Sequence, residues 1–356
     1  MEIRRILVIR YRRVGDSILA LSLLHTLREN FPEATIDFVL DSNIAPLFED
    51  HPYIDNVITF THEEKHSLPV YLKKVWKTVR SNRYDVIIDM RSTVQTLWFS
   101  LFSLRSKFRI GRKKSYNALI QNYRLLFPGE TGMVEQDMRM ASPLESIKPL
   151  RYFPEFRLFP KESELKDFRS YMASEGIDFS RPVIVAAVAT RIPGKVWGKE
   201  RMKEVLRMII DRYDAQIIFN YGGKAEEDYA EAMKKEMGGD SHVFTNVRAN
   251  DLRQLMSMVA NCDFFFGNEG GPRHLAHALD IPSFAIFPPW ISKAVWLPAS
   301  ADGRHRGIAV GDIVAAAQGE DLTAPEKFAL ITAGEVWKRL RPMLDKYLND
   351  KQNRHC

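Results

Sequence analysis

Cysteine and long apolar stretches are both scarce in this sequence. The 356 residues include two cysteines, Cys262 and Cys356, so we expect neither a disulfide framework nor a cysteine-based metal site. Wholly apolar runs such as 183–189 are far shorter than the roughly 20 residues that a helix needs to cross a bilayer. The first residues lack the apolar core and the cleavage site of a signal peptide. These absences predict a cytoplasmic protein.

Acidic residues are missing from one stretch in the first half of the chain. No Asp or Glu occurs between Met90 and Gly129, although the whole chain carries a net charge of only +6. Eight basic residues occupy this acid-free stretch: Arg91, Arg105, Lys107, Arg109, Arg112, Lys113, Lys114 and Arg124. A solvated surface fits this pattern, and so does a docking face for an anionic glycolipid or a membrane. We expect no nucleic-acid partner because no recognition motif accompanies the charge.

Several ligand-binding motifs are also absent. The turn at 10–16, after the first strand pattern, lacks the glycine spacing of a dinucleotide-binding fold, which argues against NAD. The segment around Lys195 is not a P-loop, because it lacks the required pair of glycines before Lys-Ser or Lys-Thr. No Asp-x-Asp pair and no His/Cys cluster offers a metal site. We therefore predict neither a metal nor any other cofactor.

The sequence does contain a repeated alternation of strand and helix patterns. Strand patterns such as 6–10 alternate with helical patterns such as 17–30, which indicates parallel strands joined by crossover helices. The alternation weakens between 129 and 181, where four prolines predict a connecting segment, and then resumes. We predict two doubly wound α/β domains, 1–165 and 166–331, and a C-terminal helix and tail, 332–356, packing back toward the first domain.

The most informative segment is the glycine-rich stretch 267–275, which follows the apolar run 263–266. It predicts a strand, a turn and a helix opened by Pro272, whose fixed φ suits the first helical turn. The two central glycines let a ligand approach the backbone closely, and exposed N–H groups at a helix start attract phosphates. The candidate residues for a phosphorylated ligand here are Glu269, Gly270, Gly271 and, ranked last because it lies inside the helix, His274.

Asp16 lies between the first strand pattern and the helical pattern that begins at Ser17. An Asp at such a position commonly caps the helix by accepting hydrogen bonds from its first N–H groups. It can also face a ligand at the carboxyl end of the strand and act as a general base. The residues alone leave both interpretations open.

Two further loops follow strand patterns in the second half. Thr190 and Lys195 offer a hydroxyl and a mobile ammonium that suit a phosphate, although an ordinary basic surface loop has the same composition. Glu226 opens a helix after the next strand pattern, where it can bind ribose hydroxyls or simply favour the helix N-terminus. Three such loops at successive strand ends favour a nucleotide site more strongly than any one of them.

Taken in order, these segments resemble glycosyltransferase family 9, the heptosyltransferases of lipopolysaccharide synthesis, over nearly the whole chain. The segments that carry the resemblance are the Gly-Asp turn at 12–19, the stretch 31–37, the strand at 84–89, Arg109-Ile110-Gly111, Lys195-Val196-Trp197 and 267–276. The last two resemble the family's Lys-x-Trp and Asn-Asp-Ser-Gly-Pro-x-His-Leu-Ala motifs. The resemblance implies a GT-B architecture, in which two Rossmann-like domains face each other across a cleft.

The resemblance also implies an activity. It is the inverting, metal-independent transfer of a heptose from ADP-heptose to a hydroxyl of the lipopolysaccharide inner core or a related glycolipid. Asp16 would be the base, Thr190 and Lys195 would hold the diphosphate, and Glu226 the ribose. The remaining donor contacts would be Glu269, Gly270, Gly271 and His274. An anionic acceptor would dock on Arg13, Arg91, Arg109, Arg112, Lys113 and Lys114, with peripheral contact at the inner face of the cytoplasmic membrane.

The sequence departs from the family pattern at two positions of the glycine-rich turn. Glu269 stands where the family usually has Asp, and Gly270 where Ser or Thr is common. Two alternatives therefore stay open beside the heptosyltransferase. One is a GT-B enzyme that uses a UDP- or GDP-linked sugar, and the other is a non-catalytic protein of the same fold that binds an anionic glycolipid.

Overall fold

The computed structural model describes residues 2–11, 13–127, 129–300, 302–314 and 322–352. The chain forms two compact units, Met1–Phe159 and Pro160–Cys356. The division falls slightly before the boundary that the sequence predicts after residue 165.

The first unit is built on a six-stranded parallel sheet. Its strands are β1 (Arg5–Ile9), β2 (Thr35–Asp41), β3 (Asn56–Phe60), β4 (Val86–Asp89), β5 (Phe108–Arg112) and β6 (Tyr123–Leu125), in the order β3-β2-β1-β4-β5-β6. The central strands β1 and β4 are apolar and buried along nearly their whole length, as expected for a sheet covered on both faces. The order in which strands are added to the sheet reverses between β1 and β4. Open α/β sheets bind ligands at such a switch point, at the carboxyl ends of the strands.

The described residues of this unit also form six α-helices. They are α1 (Val14–Leu19), α2 (Leu21–Asn30), α3 (His62–His66), α4 (Leu68–Asn82), α5 (Val94–Leu101) and α6 (Met133–Arg139). The single helix predicted at 17–30 is two helices that meet at Ala20 and begin earlier, at Val14. The α6 helix lies within the stretch that the sequence predicts to be a connecting segment.

The second unit repeats the same strand order. Its strands are β7 (Val183–Ala187), β8 (Gln216–Phe219), β9 (Val243–Phe244), β10 (Phe264–Asn268), β11 (Ser283–Ile286) and β12 (His305–Ile308), ordered β12-β11-β10-β7-β8-β9 with parallel pairing throughout. Its switch point lies between β7 and β10. The predicted doubly wound α/β class is confirmed in both units.

The helices of the second unit are α7 (Glu162–Ser174), α8 (Lys199–Tyr213), α9 (Lys224–Glu236), α10 (Leu252–Ala260), α11 (Gly271–Ala278), α12 (Lys293–Trp296), α13 (Ala324–Ala329) and α14 (Ala333–Gln352). The α11 helix begins directly after the glycine-rich turn that follows β10. The β10 strand, the turn and α11 therefore form the strand–turn–helix that the sequence predicts.

The C-terminal helix α14 belongs to the core of the second unit, whereas the sequence analysis expected it to pack toward the first domain. Val336, Leu340 and Leu344 share one face of the helix and are fully buried in that core. At its rim, Tyr213 of α8 donates a hydrogen bond to Asp345 (2.7 Å). Burial of this apolar stripe against α8 fixes the helix to the second unit. Residues 353–356 of the expected tail lie outside the described residues.

Candidate active site

The first group of candidate residues lies at the carboxyl edge of the first sheet. It comprises four charged side chains, Arg10, Asp16, Arg112 and Asp137, which we call the arginine–aspartate cluster. Arg10 follows β1, Asp16 lies in α1, Arg112 ends β5 and Asp137 lies in α6. The cluster thus forms beside the switch point of the sheet.

Asp16 does not cap its helix. Because α1 begins at Val14, Asp16 is the third helical residue, and the N-cap position belongs to Arg13. Arg13 is exposed and has a φ of 56°, in the left-handed region that is strained for residues other than glycine. The Asp16 carboxylate accepts a hydrogen bond from the Arg10 guanidinium, with Nη2 and Oδ1 2.8 Å apart. The capping interpretation is therefore wrong.

In the Arg10–Asp16 pair the anion is the more exposed partner. The Asp16 side chain is 12% exposed and that of Arg10 is 4% exposed. Arg10 also donates to the carbonyl oxygen of Met90 at 3.2 Å, which anchors the guanidinium behind the carboxylate. A carboxylate that is held from behind and reachable from outside can accept a proton from a bound hydroxyl.

Two guanidinium groups lie side by side in this cluster. Arg10 Nη1 and Arg112 Nε are each 3.2 Å from the Met90 carbonyl oxygen, and the Nη2 atoms of both arginines are each 3.9 Å from Met133 Sδ. Arg112 donates further to Gln136 Oε1 at 2.8 Å. Burial lowers the pKa of Arg112, because a buried guanidinium loses its hydration. Two cations this close require negative charge nearby.

Asp137 supplies the second negative charge. Its side chain is fully buried, with Oδ1 4.0 Å from Arg112 Nη2. Neither carboxylate oxygen has a hydrogen-bond partner among the residues that the structure describes. Burial raises the pKa of Asp137 to about 6, while the charges of Arg10 and Arg112 oppose the rise and Asp16 adds to it. Sequence reasoning missed Asp137, because a single Asp among polar helix residues carries no motif.

The structure divides the basic residues of the acid-free stretch between the two edges of the sheet. Arg91, Arg112, Lys113 and Lys114 end or follow β4 and β5, on the same edge as Asp16, whereas Arg105 and Lys107 precede β5 on the opposite edge. Lys113 and Lys114 are exposed. The acid-free stretch is therefore not one continuous docking face.

Arg109 is not brought together with the other predicted acceptor residues. It lies near the amino end of β5, and its guanidinium donates to the carbonyl oxygens of Leu104 (2.9 Å) and Ile120 (2.7 Å). These bonds join the two turns that precede β5 and β6, on the edge opposite Asp16. The structure thus gives Arg109 a structural role in holding those turns.

The second group of candidate residues lies at the carboxyl ends of β7 and β10, the strands at the switch point of the second sheet. Lys195 ends a 3-10 turn (Pro193–Lys195) after β7, and Glu269 follows β10. Lys195 Nζ donates to Glu269 Oε2 at 2.7 Å. Here the cation is the more exposed partner, since the side chain of Lys195 is 13% exposed and that of Glu269 is 6% exposed.

Asn268 fastens the two loops together. Its amide nitrogen donates to the carbonyl oxygens of Ala187 (2.9 Å) and Val188 (3.0 Å), and its Oδ1 accepts from the backbone N–H of Trp197 (2.8 Å). The Trp197 indole is buried and donates to the carbonyl oxygen of Ile331 at 2.8 Å. The Lys-x-Trp segment is thereby held against the end of β10, which explains why these residue types occur together in the sequence.

Glu269 is an anion in a buried network of cations and imidazole. Burial opposes its ionisation, but contact with His274, whose Nε2 lies 3.8 Å away, and the charges of Lys195 and Arg273 lower its pKa to about 2. Burial and the Arg273 charge lower the pKa of His274 to about 4, so this imidazole is neutral at pH 7. Arg273 is fully buried and donates to the carbonyl oxygen of Trp296 at 2.8 Å. The network fixes Glu269 in its charged form.

Two glycines of the glycine-rich turn serve different purposes. Gly267 has a φ of 141°, and a Cβ atom there would lie 2.5 Å from the carbonyl oxygen of Ala187, so only glycine fits between β10 and β7. Gly270 has an extended backbone with a φ of 173°, and a Cβ atom there would meet nothing closer than Pro272 Cδ at 3.9 Å. The space beside Gly270, at the start of α11, is therefore open.

Thr190 and Glu226 are occupied within their own loops. Thr190 Oγ1 donates to the carbonyl oxygen of Ile192 at 2.6 Å, and Glu226 Oε2 accepts from the backbone N–H of Gly222 at 3.0 Å. The loops follow the neighbouring strands β7 and β8, so both side chains lie at the carboxyl edge of the sheet. Either side chain would exchange its present bond to contact a ligand.

The described ranges contain no group of three or more His, Cys, Asp or Glu side chains that could hold a metal ion. Within the same ranges, no helix is both long enough and apolar enough to cross a membrane. The two candidate groups consist of arginine, lysine, imidazole and carboxylate side chains.

Known sequences resemble this chain over most of its length. The profile of glycosyltransferase family 9 (heptosyltransferase) matches residues 72–298, a range that contains Lys195 and Glu269 and begins after Asp16. Lipopolysaccharide heptosyltransferase 1 of Campylobacter coli is 22% identical over 298 residues, which cover 80% of this chain and 83% of that protein.

Solved structures share the fold. A family 9 glycosyl transferase from Veillonella parvula matches with a TM-score of 0.80 at 17% identity, covering 97% of this chain and 99% of the other. The E. coli heptosyltransferase WaaC, solved with ADP-2-deoxy-2-fluoro heptose, matches with a TM-score of 0.68 at 17% identity, covering 95% and 99%. These likenesses confirm the predicted GT-B fold. Because the family profile matches well over half of the chain, the protein belongs to glycosyltransferase family 9, the heptosyltransferase family, and is a glycosyltransferase.

Proposed function

We propose that this protein transfers a heptose from ADP-heptose to a hydroxyl of an anionic lipopolysaccharide inner-core glycolipid, with inversion and without a metal ion. The observation that carries the proposal is the opposite polarity of the two ion pairs. The more exposed member of the pair is the anion Asp16 in the first unit and the cation Lys195 in the second. A proton acceptor and a phosphate-binding cation are the two groups that such a transfer requires.

In this proposal the second unit binds the donor. Lys195 exchanges Glu269 for the diphosphate, and the N–H groups at the start of α11 add their partial positive charge. Thr190 turns its hydroxyl from Ile192 to a phosphate oxygen, and Glu226 accepts hydrogen bonds from the ribose. Gly270 and Gly271 leave room for the donor at the open start of the helix. His274, neutral at pH 7, stays beside Glu269 and keeps that carboxylate in place.

The first unit binds the acceptor and starts the reaction. Asp16 accepts the proton of the acceptor hydroxyl, whose oxygen then attacks the anomeric carbon from the face opposite ADP. The bond between that carbon and the diphosphate oxygen breaks, and ADP leaves with the electron pair. Lys195 and α11 stabilise the charge that develops on the leaving diphosphate, as a metal ion does in other transferases. Attack opposite the leaving group inverts the anomeric centre.

Calorimetric titration of the purified protein with ADP, UDP, GDP and NAD tests the donor assignment. The proposal expects ADP to bind most tightly, and Lys195→Ala to weaken that binding. A preference for UDP or GDP would show that the donor is a different sugar nucleotide, without affecting the assignment of the fold and the family. Transfer of label from ADP-heptose to a heptose-free core glycolipid then tests the reaction itself, and the anomeric configuration of the product tests inversion.

We also propose that the carboxyl edge of the first sheet, which carries Asp16, contacts the membrane peripherally. Lys113 and Lys114 are exposed beside the large apolar side chains of Val94 and Leu126, which are 64% and 63% exposed. Basic and apolar groups together suit a surface of anionic lipid. In this proposal the anionic acceptor approaches Arg13, Arg91 and Arg112 from the membrane side.

Cosedimentation with phosphatidylglycerol vesicles tests the membrane contact. Replacing Lys113 and Lys114 by Glu is expected to weaken binding at low salt, since each basic residue near the surface adds about 1 kcal/mol. The matched control replaces Arg105 and Lys107 by Glu, which makes the same charge change at the opposite edge. If both double variants lose vesicle binding equally, the binding depends on the net charge of the protein and not on this edge.

A second candidate function is a GT-B transferase with a different sugar nucleotide. Glu269 and Gly270 favour it, because they replace the family's usual Asp and Ser or Thr at the donor turn. The longer carboxylate reaches Lys195, and the missing hydroxyl leaves space beside α11. The nucleotide titration separates this candidate from the first. A protein that binds glycolipid but transfers no sugar from any nucleotide would instead fit the non-catalytic alternative.

A further inference from the structure

The arginine–aspartate cluster balances two cations with two anions, and only one of the anions faces outward. Arg10 and Arg112 share contacts with the Met90 carbonyl oxygen and Met133 Sδ, so their charges act on the same small volume. Asp16 is hydrogen-bonded to Arg10 at 2.8 Å. Asp137 is fully buried, with its carboxylate 4.0 Å from Arg112.

We propose that Asp137 is a positioning residue that neutralises part of the charge of Arg10 and Arg112 and thereby keeps Asp16 a competent proton acceptor. The inference rests on the proposed role of Asp16 as the base. It adds to that role a residue on another helix that never touches the substrate.

Charge balance gives the physical reason. Nearby positive charge stabilises a carboxylate, lowers its pKa and weakens it as a base. Without Asp137, Asp16 would face the two guanidinium groups of Arg10 and Arg112 as their sole counter-ion in the cluster. A second negative charge behind the arginines acts on Asp16 in the opposite sense and restores its basicity. The charged groups that act on Asp137 from the neighbouring elements are Arg10 after β1, Arg112 on β5 and Asp16 on α1.

The geometry distinguishes this role from that of an ordinary structural ion pair. A structural pair is hydrogen-bonded, as Arg10 and Asp16 are, whereas both Asp137 oxygens lack a hydrogen-bond partner among the described residues. Arg112 directs its hydrogen bonds to Met90 and Gln136 instead. Asp137 therefore acts through its charge, at a cost of desolvation that a purely structural side chain of this size would not incur.

The test is the pH dependence of kcat in Asp137→Asn, which removes the charge and keeps the shape. We expect kcat at neutral pH to fall several-fold and the KM for ADP-heptose to change little. The acidic limb is expected to lose the step that protonation of native Asp137, whose pKa is about 6, produces. Asp137→Glu retains the charge and is expected to keep the acidic limb of the native enzyme. An unchanged acidic limb in Asp137→Asn would overturn the proposal.

The control is Asp37→Asn, another buried carboxylate in the first unit. Asp37 lies on β2 and is bonded to Asn56 and Tyr84, away from the cluster. It is expected to change stability without moving the acidic limb. If Asp137→Asn does not fold, Asp16→Asn provides the second measurement, because the charge of Asp16 raises the pKa of Asp137. A pKa of Asp137 that is unchanged in Asp16→Asn would contradict the charge-balance argument.

A direct titration separates this inference from the proposed function. In protein labelled with carbonyl-13C aspartate, the Asp137 resonance is assigned by its loss in Asp137→Glu, and its pKa is read from the chemical shift. A lower pKa of Asp137 in Asp16→Asn supports the charge balance whether or not the protein transfers heptose, because the coupling between the two carboxylates is reciprocal. An unchanged pKa overturns the inference and leaves the proposed function standing. Failure to transfer any sugar overturns the proposed function and leaves this titration valid.

Discussion

The two units use the same strand order, and each has an ion pair at the switch point of its sheet. In the first unit the anion Asp16 is more exposed than its partner Arg10, whereas in the second the cation Lys195 is more exposed than its partner Glu269. The fold provides the same switch point in both cases. In each pair the buried partner holds the more exposed side chain in its charged form and in its orientation. The buried partner therefore determines whether the unit offers an anion or a cation.

The largest expected effect comes from removing the exposed anion of the first unit. Asp16→Asn keeps the shape of the side chain and loses the proton acceptor, so we expect sugar transfer to fall by about 10²- to 10⁴-fold. ADP affinity measured by calorimetry is expected to stay nearly unchanged, since the proposed donor site lies in the second unit. Equal losses of transfer and of ADP affinity would contradict the separation of roles between the two ion pairs.

Removing the exposed cation of the second unit is expected to have the complementary effect. Lys195→Ala should weaken ADP binding by about 1–3 kcal/mol, the magnitude of a charged hydrogen bond. The matched control is Lys199→Ala, which removes a neighbouring lysine that is paired with Glu236 on the helical side of the same unit. If the two variants bind ADP equally well, Lys195 is not in the donor site.

Acid is expected to affect the two units in opposite directions. The pKa values of the buried histidines His274, His277 and His305 are lowered from 6.5 to about 4, 2 and 3, chiefly by burial. The unfolded chain therefore binds more protons below pH 6.5, and the stability that these groups contribute above pH 6.5 is lost as the pH falls toward 4. Each contributes about 1.4 kcal/mol per pH unit in that window. In the first unit, burial raises the pKa of Asp89 and of Asp137 to about 6, so their contribution grows as the pH falls through 6.

Thermal unfolding followed between pH 7 and pH 4.5 checks this expectation, with the second unit losing stability and the first unit gaining it. His51 of the first unit, whose pKa burial lowers to about 4, reduces the contrast without reversing it. His277→Gln is expected to flatten the slope of the second unit. His242→Gln is the control, because the hydrogen bond with Asp214 raises the pKa of His242 and its removal should steepen the slope. If the stability of both units changes equally with pH, the expected difference between the two units is wrong.

The smallest expected effect concerns the glycine-rich turn of the second unit. Gly270→Ser restores a residue that is common in the family, at an extended backbone position with open space around it. We expect a change in the free energy of unfolding within about 0.5 kcal/mol. Gly267→Ser is the contrasting variant and should be strongly destabilising, since its side chain would collide with Ala187. Similar stabilities in the two variants would show that the turn is less constrained than its geometry indicates.

Local sequence patterns predict the secondary structure of this protein better than they predict how its elements pack. The α/β class, the strands that precede each loop and the helix after the glycine-rich turn follow from local apolar periodicity and are confirmed. The α6 helix was missed because prolines on both sides of a short polar helix read as a connecting segment. The C-terminal helix was recognised, but its partner was not, because an apolar stripe indicates that a helix is buried and not against which surface.

The candidate site was also only partly predictable. Asp16, Lys195 and Glu269 stood out because each follows a strand at a turn, which places it at the ligand-binding edge of a parallel sheet. Arg109 belongs to a basic stretch, yet its side chain is drawn to turn carbonyls on the opposite edge. Asp137 lies far along the chain from Arg10, and no local pattern links them. The proposed roles of these residues in catalysis stay predictions.

The sequence by itself determined the two α/β halves, the positions of the loops that follow the strands and the family resemblance. These properties depend on residues that are neighbours in the chain, so that periodicity and motif spacing express them directly. Only the tertiary structure decided which charge is the more exposed in each unit, that Arg10 and Arg112 lie side by side, and that Asp137 lies buried 4.0 Å from Arg112. Such pairings depend on burial and on distances between remote segments, since the strength of a charge interaction is set by separation and surroundings in space.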